Sequence, residues 1–200
     1  MCLFSQIPPN ATSRQKKLRI EVAKELTKSY PNTITFSHGL SQSKENCLFA
    51  QFSTFGKSEA DVISRALSVF GPGPRMIHLD GHPLDVVRAF RLGFDLFVSP
   101  LPVRYARQGH ALAFSYDAFE GDGGEDAGGI PLSIDLRSRA FERDHSPVVE
   151  GCRCLCCRKH VRSYVHHLLN VHEMLAYELL VMHNISYYSE FIKSLGKNSK

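Results

Sequence analysis

The sequence predicts an α/β fold: strands and helices alternate over the first part of the chain, and the end is all-helical. Three observations carry this expectation. Short apolar runs of strand length alternate with stretches whose apolar residues recur at helical spacing, with Gly and Pro at the joins. The connections are short, which is the signature of a parallel sheet with helical crossovers. Then residues 151–160, GCRCLCCRKH, pack three cysteines into a C-x-C-x-x-C knuckle, and the following YVHHLLNVHEMLAYELLVMHN reads as helix.

Residues 14–29, RQKKLRIEVAKELTKS, predict an amphipathic helix with Leu18, Val22 and Leu26 on one face, stopped by Pro31. Thr33 to Phe36 is a short strand, residues 38–46 a polar loop, and Cys47 to Phe52 a second extended piece. Ser58 opens the next helix with Asp61 three residues on, in imitation of a capping box. Val62, Ile63, Leu67 and Val69 form its apolar face, and Gly71 to Pro74 end it. Met76 to Leu79 is a buried strand. Pro83 starts a helix facing inward with Leu84, Val87 and Phe90, Gly93 caps its C-terminus, and Asp95 to Val98 is the next strand. This makes about three βα units. Residues 121–129, GDGGEDAGG, are a flexible acidic loop, and alternating Leu132, Ile134 and Leu136 give one more short strand. Beyond the knuckle three helices are expected, over 163–169, 172–183 and 187–195.

The chain has 200 residues and a hydrophobic content of 43%, ordinary for a globular protein. No apolar run reaches the length of a membrane span, so no transmembrane segment is expected. The first residues, MCLFSQIPPNATSRQKK, lack a basic region followed by an apolar one, so no secretory signal is read. Reduced cysteines in a metal knuckle fit the cytosol. A net charge of +4 is compatible with a nucleic-acid partner but does not point to one by itself.

Three thiolates and one imidazole are what a structural zinc ion takes, in a closed tetrahedral site with no open position for water chemistry. Cysteines this close in sequence pair poorly as disulfides. Spacing leaves the ligand choice open. Cys156 sits beside Cys157, and His160, His166, His167 and His172 compete with His183.

The stretch from Cys152 to Tyr188 resembles the zinc subdomain of the tRNA-guanine transglycosylase family. That family has C-x-C-x-x-C, then Tyr-x-x-His-Leu, then Glu-x-x-x-x-x-Leu-x-x-x-His-Asn, met here by Cys152, Cys154, Cys157, then Tyr164, His167, Leu168, then Glu173, Leu179, His183 and Asn184. The resemblance implies one Zn2+ per chain, held by Cys152, Cys154, Cys157 and His183. Cys156 would be a neighbouring free thiol, and His166 and His167 packing or supporting groups. A second anchor is GFDLFVSPLPVRYARQG, in which Gly93, Asp95, Phe97, Pro102, Arg104, Ala106, Arg107 and Gly109 match the catalytic members. One functional position departs: the family's nucleophilic Asp falls on Val98. Valine has no lone pair to attack C1′ of a ribose, so no catalytic residue is assigned. Asp95 is expected to make a strand-start hydrogen bond instead.

The family fold implies the C-terminal half of a TIM (β/α)8 barrel with a zinc-binding helical subdomain. A full barrel takes about 250 residues, so a fragment, an alternative product or an incomplete gene model is expected. Residues 1–13 are expected to be a disordered N-terminal segment, 14–149 the partial barrel and 150–200 the zinc subdomain. The Cys-Cys doublet and the His-His-Leu-Leu run look most like the family's accessory branch. That likeness implies a non-catalytic subunit in a heterodimer with the catalytic subunit of queuine tRNA-ribosyltransferase, serving exchange of guanine for queuine at the tRNA wobble position. It also implies a cytoplasmic location, peripheral on the mitochondrial outer membrane. Arg104 and Arg107, with Arg158, Lys159 and Arg162 in the basic cluster around the knuckle, are candidate contacts to tRNA. Leu175, Leu179, Met182, Phe191 and Leu195 are a candidate subunit contact or intrachain core. Two rivals stand beside this: a stand-alone zinc-dependent tRNA-binding module, and an active transglycosylase with a relocated nucleophile.

Overall fold

The computed structural model describes residues 34–38, 46–52, 75–79, 82–116 and 131–197. The helices expected over 14–29 and from Ser58, the stop at Gly71 to Pro74, the acidic loop at 121–129 and the segment 1–13 lie outside the described residues. The chain divides into two compact units, Met1–Ser99 and Pro100–Lys200. Among the described residues, no helix is long and apolar enough to cross a membrane.

The first unit carries a four-stranded sheet in the order β1 (Ile34–His38), β2 (Asn46–Phe52), β3 (Arg75–Leu79), β4 (Leu96–Val98). The pairs β2–β3 and β3–β4 are parallel, as the alternation predicts. The first pair is antiparallel, with Ile34 opposite Ala50. This corrects the expectation of a purely parallel sheet. The polar connection over 39–45 is too short for a crossover, so the chain can only turn back. Helix α1 (Pro83–Arg91) joins β3 to β4. His82 caps it, Nδ1 accepting the Leu84 N–H at 3.3 Å, and Pro83 occupies the first turn, where no intrahelical N–H is needed. Leu84 and Val87 are buried as expected, and so are Val86 and Ala89, because this helix is covered on more than one stripe. Phe90 is half-buried. Gly93 follows the helix with φ +88°, a left-handed conformation that favours glycine. The Asp95 carboxylate accepts the Arg75 N–H at 3.1 Å, the strand-start bond expected of it.

The second unit opens with α2 (Leu101–Arg107), a short helix that the sequence analysis does not assign, and the hairpin of β5 (His110–Leu112) and β6 (Ser133–Asp135). A 3-10 turn at Arg139–Phe141 leads to α3 (Leu155–Lys159), α4 (Arg162–Asn170) and α5 (Met174–Lys197). The core is made by Ala111, Leu136, Val148, Val165, Leu169, Ala176, Leu179 and Leu180. Phe114, Tyr116, Tyr187 and Phe191 extend it as an aromatic cluster with centroids 5.3–5.9 Å apart, edge-to-face except for the tilted Tyr116–Phe191 pair. Leu179 and Phe191 are therefore intrachain core, whereas Leu175 and Met182 are exposed. The two last helices of the sequence expectation are one continuous α5, for a reason that lies in Asn184.

Arg162 braces the approach to the metal knuckle. Its Nη1 pairs with Asp144 Oδ2 at 3.0 Å, its Nε donates to Val148 O at 3.1 Å, and its guanidinium lies 5.6 Å from the Phe141 ring centre. Hydrogen bonds from the Ser146 side chain and backbone, and then from Arg162, hold the Asp144 carboxyl down at about 2. A carboxyl depressed on folding stabilises the fold above its unfolded value near 3.9, and that contribution is lost as pH falls through about 2. Asp144→Asn should therefore lower the Tm at pH 7 and match wild type at pH values where Asp144 is itself protonated. Equal Tm values at pH 7 would show that the brace does not stabilise this unit.

Candidate metal centre

Four side chains converge between α3 and α5. Gly151, at φ +73°, turns the chain into the knuckle, and Cys152 N–H bonds Val149 O at 3.3 Å. Cys154 is the N-cap of α3: its Sγ accepts the Cys157 N–H at 3.3 Å, so the turn that caps the helix also places two sulfurs side by side. His183 comes from the middle of α5 and is fully buried. Its Nδ1 lies 3.7 Å from Cys152 Sγ, 3.5 Å from Cys154 Sγ and 3.3 Å from Cys157 Sγ. The four ligand atoms all lie within 4.8 Å of one another.

These separations suit one tetrahedral ion. With metal–sulfur bonds of about 2.3 Å and metal–nitrogen bonds of about 2.0 Å, tetrahedral angles put sulfur and nitrogen roughly 3.6 Å apart. The three observed distances bracket that value. The imidazole is also set in the right tautomer. His183 Nε2 is 2.9 Å from Leu112 O, and a carbonyl only accepts, so Nε2 keeps its proton and Nδ1 is the nitrogen that faces the sulfurs and would give up its proton to bind a metal.

The protonation of Cys154, Cys157 and His183 points the same way. Cys154 accepts from Cys157, which lowers its thiol to about 3 against the opposing effect of burial. Cys157 is raised, because it donates to Cys154 and is desolvated. The two share a proton, and the first thiolate rests on Cys154. Burial pulls His183 down, but hydrogen bonds to Cys152 and Cys154, and the one to Leu112, outweigh it and bring the group up to about 9. The pocket thus gathers negative sulfur around a positive counter-group. A soft divalent cation can take over that counter-charge role, releasing protons as it binds.

The rivals left open by spacing fall away. Cys156 is fully buried in the core and is not one of the four converging ligands, and burial, then the nearby Cys154 and Cys152, push its thiol up to about 12. His160 stacks on Tyr164 with ring centres 5.0 Å apart. Buried His166 donates from Nδ1 to Leu136 O at 2.8 Å and accepts at Nε2 from Asn170 Nδ2 at 2.8 Å, a packing role. His167 and His172 are exposed.

Asn184 follows His183 in the motif, and its place in the sequence alone implies no role. Fully buried, its Oδ1 accepts the Leu112 N–H at 2.8 Å, and its Nδ2 donates to Pro102 O and His110 O, each at 3.0 Å. His183 and Asn184 therefore grip both polar groups of the Leu112 backbone from consecutive positions of α5. Of the basic residues, Arg104 and Arg107 are exposed one turn apart on α2, and Arg158 and Lys159 are exposed on α3. Arg162 is engaged by Asp144 and Val148, as described. Val98 ends β4 with 43% of its surface exposed.

The sequence matches the queuine tRNA-ribosyltransferase family over residues 6–198. Queuine tRNA-ribosyltransferase accessory subunit 2 of Danio rerio is 34% identical over 147 residues, covering 61% of this chain and 35% of the relative. The protein of that name from Xenopus tropicalis is 36% identical over 148 residues, 61% of this chain and 36% of its own length. The one from Homo sapiens is 32% identical over 143 residues, 59% of this chain and 34% of its own. The chain thus spans about a third of the length of the curated relatives it matches. With a family match over nearly its whole length, a mixed strand–helix structure and a buried Cys3His group, this chain belongs to the TIM-barrel-like queuine tRNA-ribosyltransferase family.

Proposed function

We propose that the chain is a non-catalytic, zinc-binding accessory subunit of queuine tRNA-ribosyltransferase. It supports exchange of guanine for queuine at the tRNA wobble position, as one half of a heterodimer whose other subunit does the chemistry. The observation that carries this is Val98 at the nucleophile position, in a chain whose relatives are named accessory subunits. A side chain of methyl groups cannot form the glycosyl ester that a carboxylate forms at C1′. Asp95, the neighbouring acid, is committed to the Arg75 N–H.

Zinc is the ion that best suits three thiolates and an imidazole in a closed site, and its job there is structural: it ties α3 to α5. Residues 150–200 are the zinc-binding subdomain of this proposal, and 14–149 contribute the C-terminal half of the barrel. Arg104, Arg107, Arg158 and Lys159 meet tRNA phosphates, positioning the RNA without reading its sequence. Arg162, the fifth candidate, is instead held within the chain by Asp144 and Val148. The protein is cytoplasmic and peripheral on the mitochondrial outer membrane.

The test is labelled-guanine exchange into tRNA. The purified chain should give no exchange. Combined with the catalytic subunit it should support exchange, and Val98→Ala should leave that rate within about twofold, because surface substitutions away from a site usually change little. Exchange by the chain alone, abolished by Asp95→Asn, would establish an active enzyme with a relocated nucleophile. Support for tRNA binding with no effect on the catalytic subunit would favour a stand-alone binding module.

A further inference from the structure

Arg137 is held in an unusual way for a surface arginine. Its Nε donates to Gln108 O at 3.3 Å and its Nη2 to the Tyr177 hydroxyl at 3.1 Å. Both partners are neutral. The acid nearest to it in sequence, Asp135, turns Oδ1 to the Arg137 backbone N–H at 2.9 Å. Among the described residues, no carboxylate pairs with the guanidinium. A surface arginine normally either waves in solvent or pairs with an acid, since ordering a long side chain costs about 2 kcal/mol of rotamer freedom. Here the charge is ordered but not neutralised.

Its location is informative. Gln108 is the C-cap of α2, directly after Arg107 and one turn beyond Arg104, and both of those arginines are exposed. Gly109, at φ +84°, lets the guanidinium lie against this turn, since a Cβ there would meet Arg137 Nε at 2.7 Å. Three arginines from two separate segments thus gather at the end of α2. The rigid fork of a guanidinium matches phosphate oxygens, and a fork fixed beforehand by neutral anchors loses less freedom on binding.

We propose that Arg137 is an RNA phosphate-binding residue that extends the Arg104–Arg107 face, with Tyr177 and Gln108 as its positioning groups. This rests on the proposed tRNA contact of Arg104 and Arg107 and adds a residue that the basic clusters of the sequence do not reveal. The partner is the phosphodiester backbone of RNA, so the contact adds affinity without base preference.

The experiment measures binding of the whole chain, zinc-loaded, to a labelled tRNA and to an unrelated RNA hairpin, from 50 to 200 mM KCl. Arg137→Gln keeps hydrogen-bonding capacity and removes the charge. It should weaken both RNAs about equally, by roughly three- to tenfold, and reduce the slope of log K against log salt by about 1. Tyr177→Phe should weaken binding less and leave the slope unchanged, because the charge remains. Arg137→Lys should recover the slope. Metal content and Tm are compared for every variant, and a purely structural role would move those and not the salt slope. If wild type binds neither RNA, the tRNA reading and this inference fall together. If Arg104→Gln and Arg107→Gln weaken RNA and Arg137→Gln does not, this inference alone is overturned. Inorganic phosphate titrated by calorimetry separates the two sources of the same chemistry: Arg137-dependent binding of free phosphate without an effect on RNA would replace the RNA assignment by a small-anion site.

Discussion

His183→Ala is expected to empty the metal site and melt the C-terminal unit. Metal per chain, measured on the purified protein, should fall from about one to near zero. The physical reason is that this imidazole does two jobs. Nδ1 completes the ligand set with three sulfurs, and Nε2 ties α5 to β5 through Leu112 O. Structural zinc contributes an apparent 10–16 kcal/mol in small domains, about the whole stability of a typical domain. Removing the fourth ligand also leaves buried thiolates close together with no counter-charge. Strong chelators should reproduce the unfolding, and readdition of metal should reverse it. Cys152→Ser should behave like His183→Ala. Cys156→Ser should retain the metal, at a cost of about 1–3 kcal/mol for a hydroxyl placed in the core. The assignment is wrong if Cys156→Ser is the variant that loses the ion.

How much of this was legible beforehand differs from residue to residue. The knuckle was legible because its ligands are local: a C-x-C-x-x-C run fixes three sulfurs within one turn and a helix start. The fourth ligand was not local. Five histidines follow Cys157 and spacing does not choose among them; only the family resemblance pointed to His183, the one that the structure brings to the three sulfurs. What separates His183 from His166 is the partner of the second ring nitrogen, and Leu112 lies 71 residues away in sequence. The parallel pairs of the sheet followed from alternation, whereas the antiparallel β1–β2 pair depended on the length of one loop. Helix α2 went unassigned because Leu101–Arg107 is short and opens on two prolines' worth of constraint at Pro100 and Pro102, which reads as a loop until the buried side of Leu101 and Ala106 is seen. Arg137 carried no signal at all, since its meaning comes from Gln108 and Tyr177.

Asn184 explains the continuous last helix, and its replacement should have the second largest effect. Asparagine is a poor residue mid-helix because its side chain competes for nearby backbone groups. The sequence from His183 to Tyr187 therefore reads as a break. In the structure the Asn184 amide is fully occupied by Leu112, Pro102 and His110, so it has nothing left with which to unwind its own helix, and α5 runs through. Asn184→Ala removes one acceptor and two donor contacts at a fully buried position and strands the Leu112 N–H. Each lost bond costs about 1 kcal/mol and the orphaned donor about 1–3 more, so a loss of about 3–5 kcal/mol is expected. For a unit of this size that is a fall in Tm of roughly 10–30 °C. Asn184→Asp should be no better than alanine. It can still accept from Leu112, but its second oxygen would face two carbonyl oxygens with no proton between them. Metal content should remain about one per chain in both variants, because the His183–Leu112 bond and the four ligands are intact. Guanidinium unfolding of the metal-loaded protein decides the matter. A midpoint for Asn184→Ala indistinguishable from wild type would mean that the hairpin is held to α5 by His183 and core packing alone.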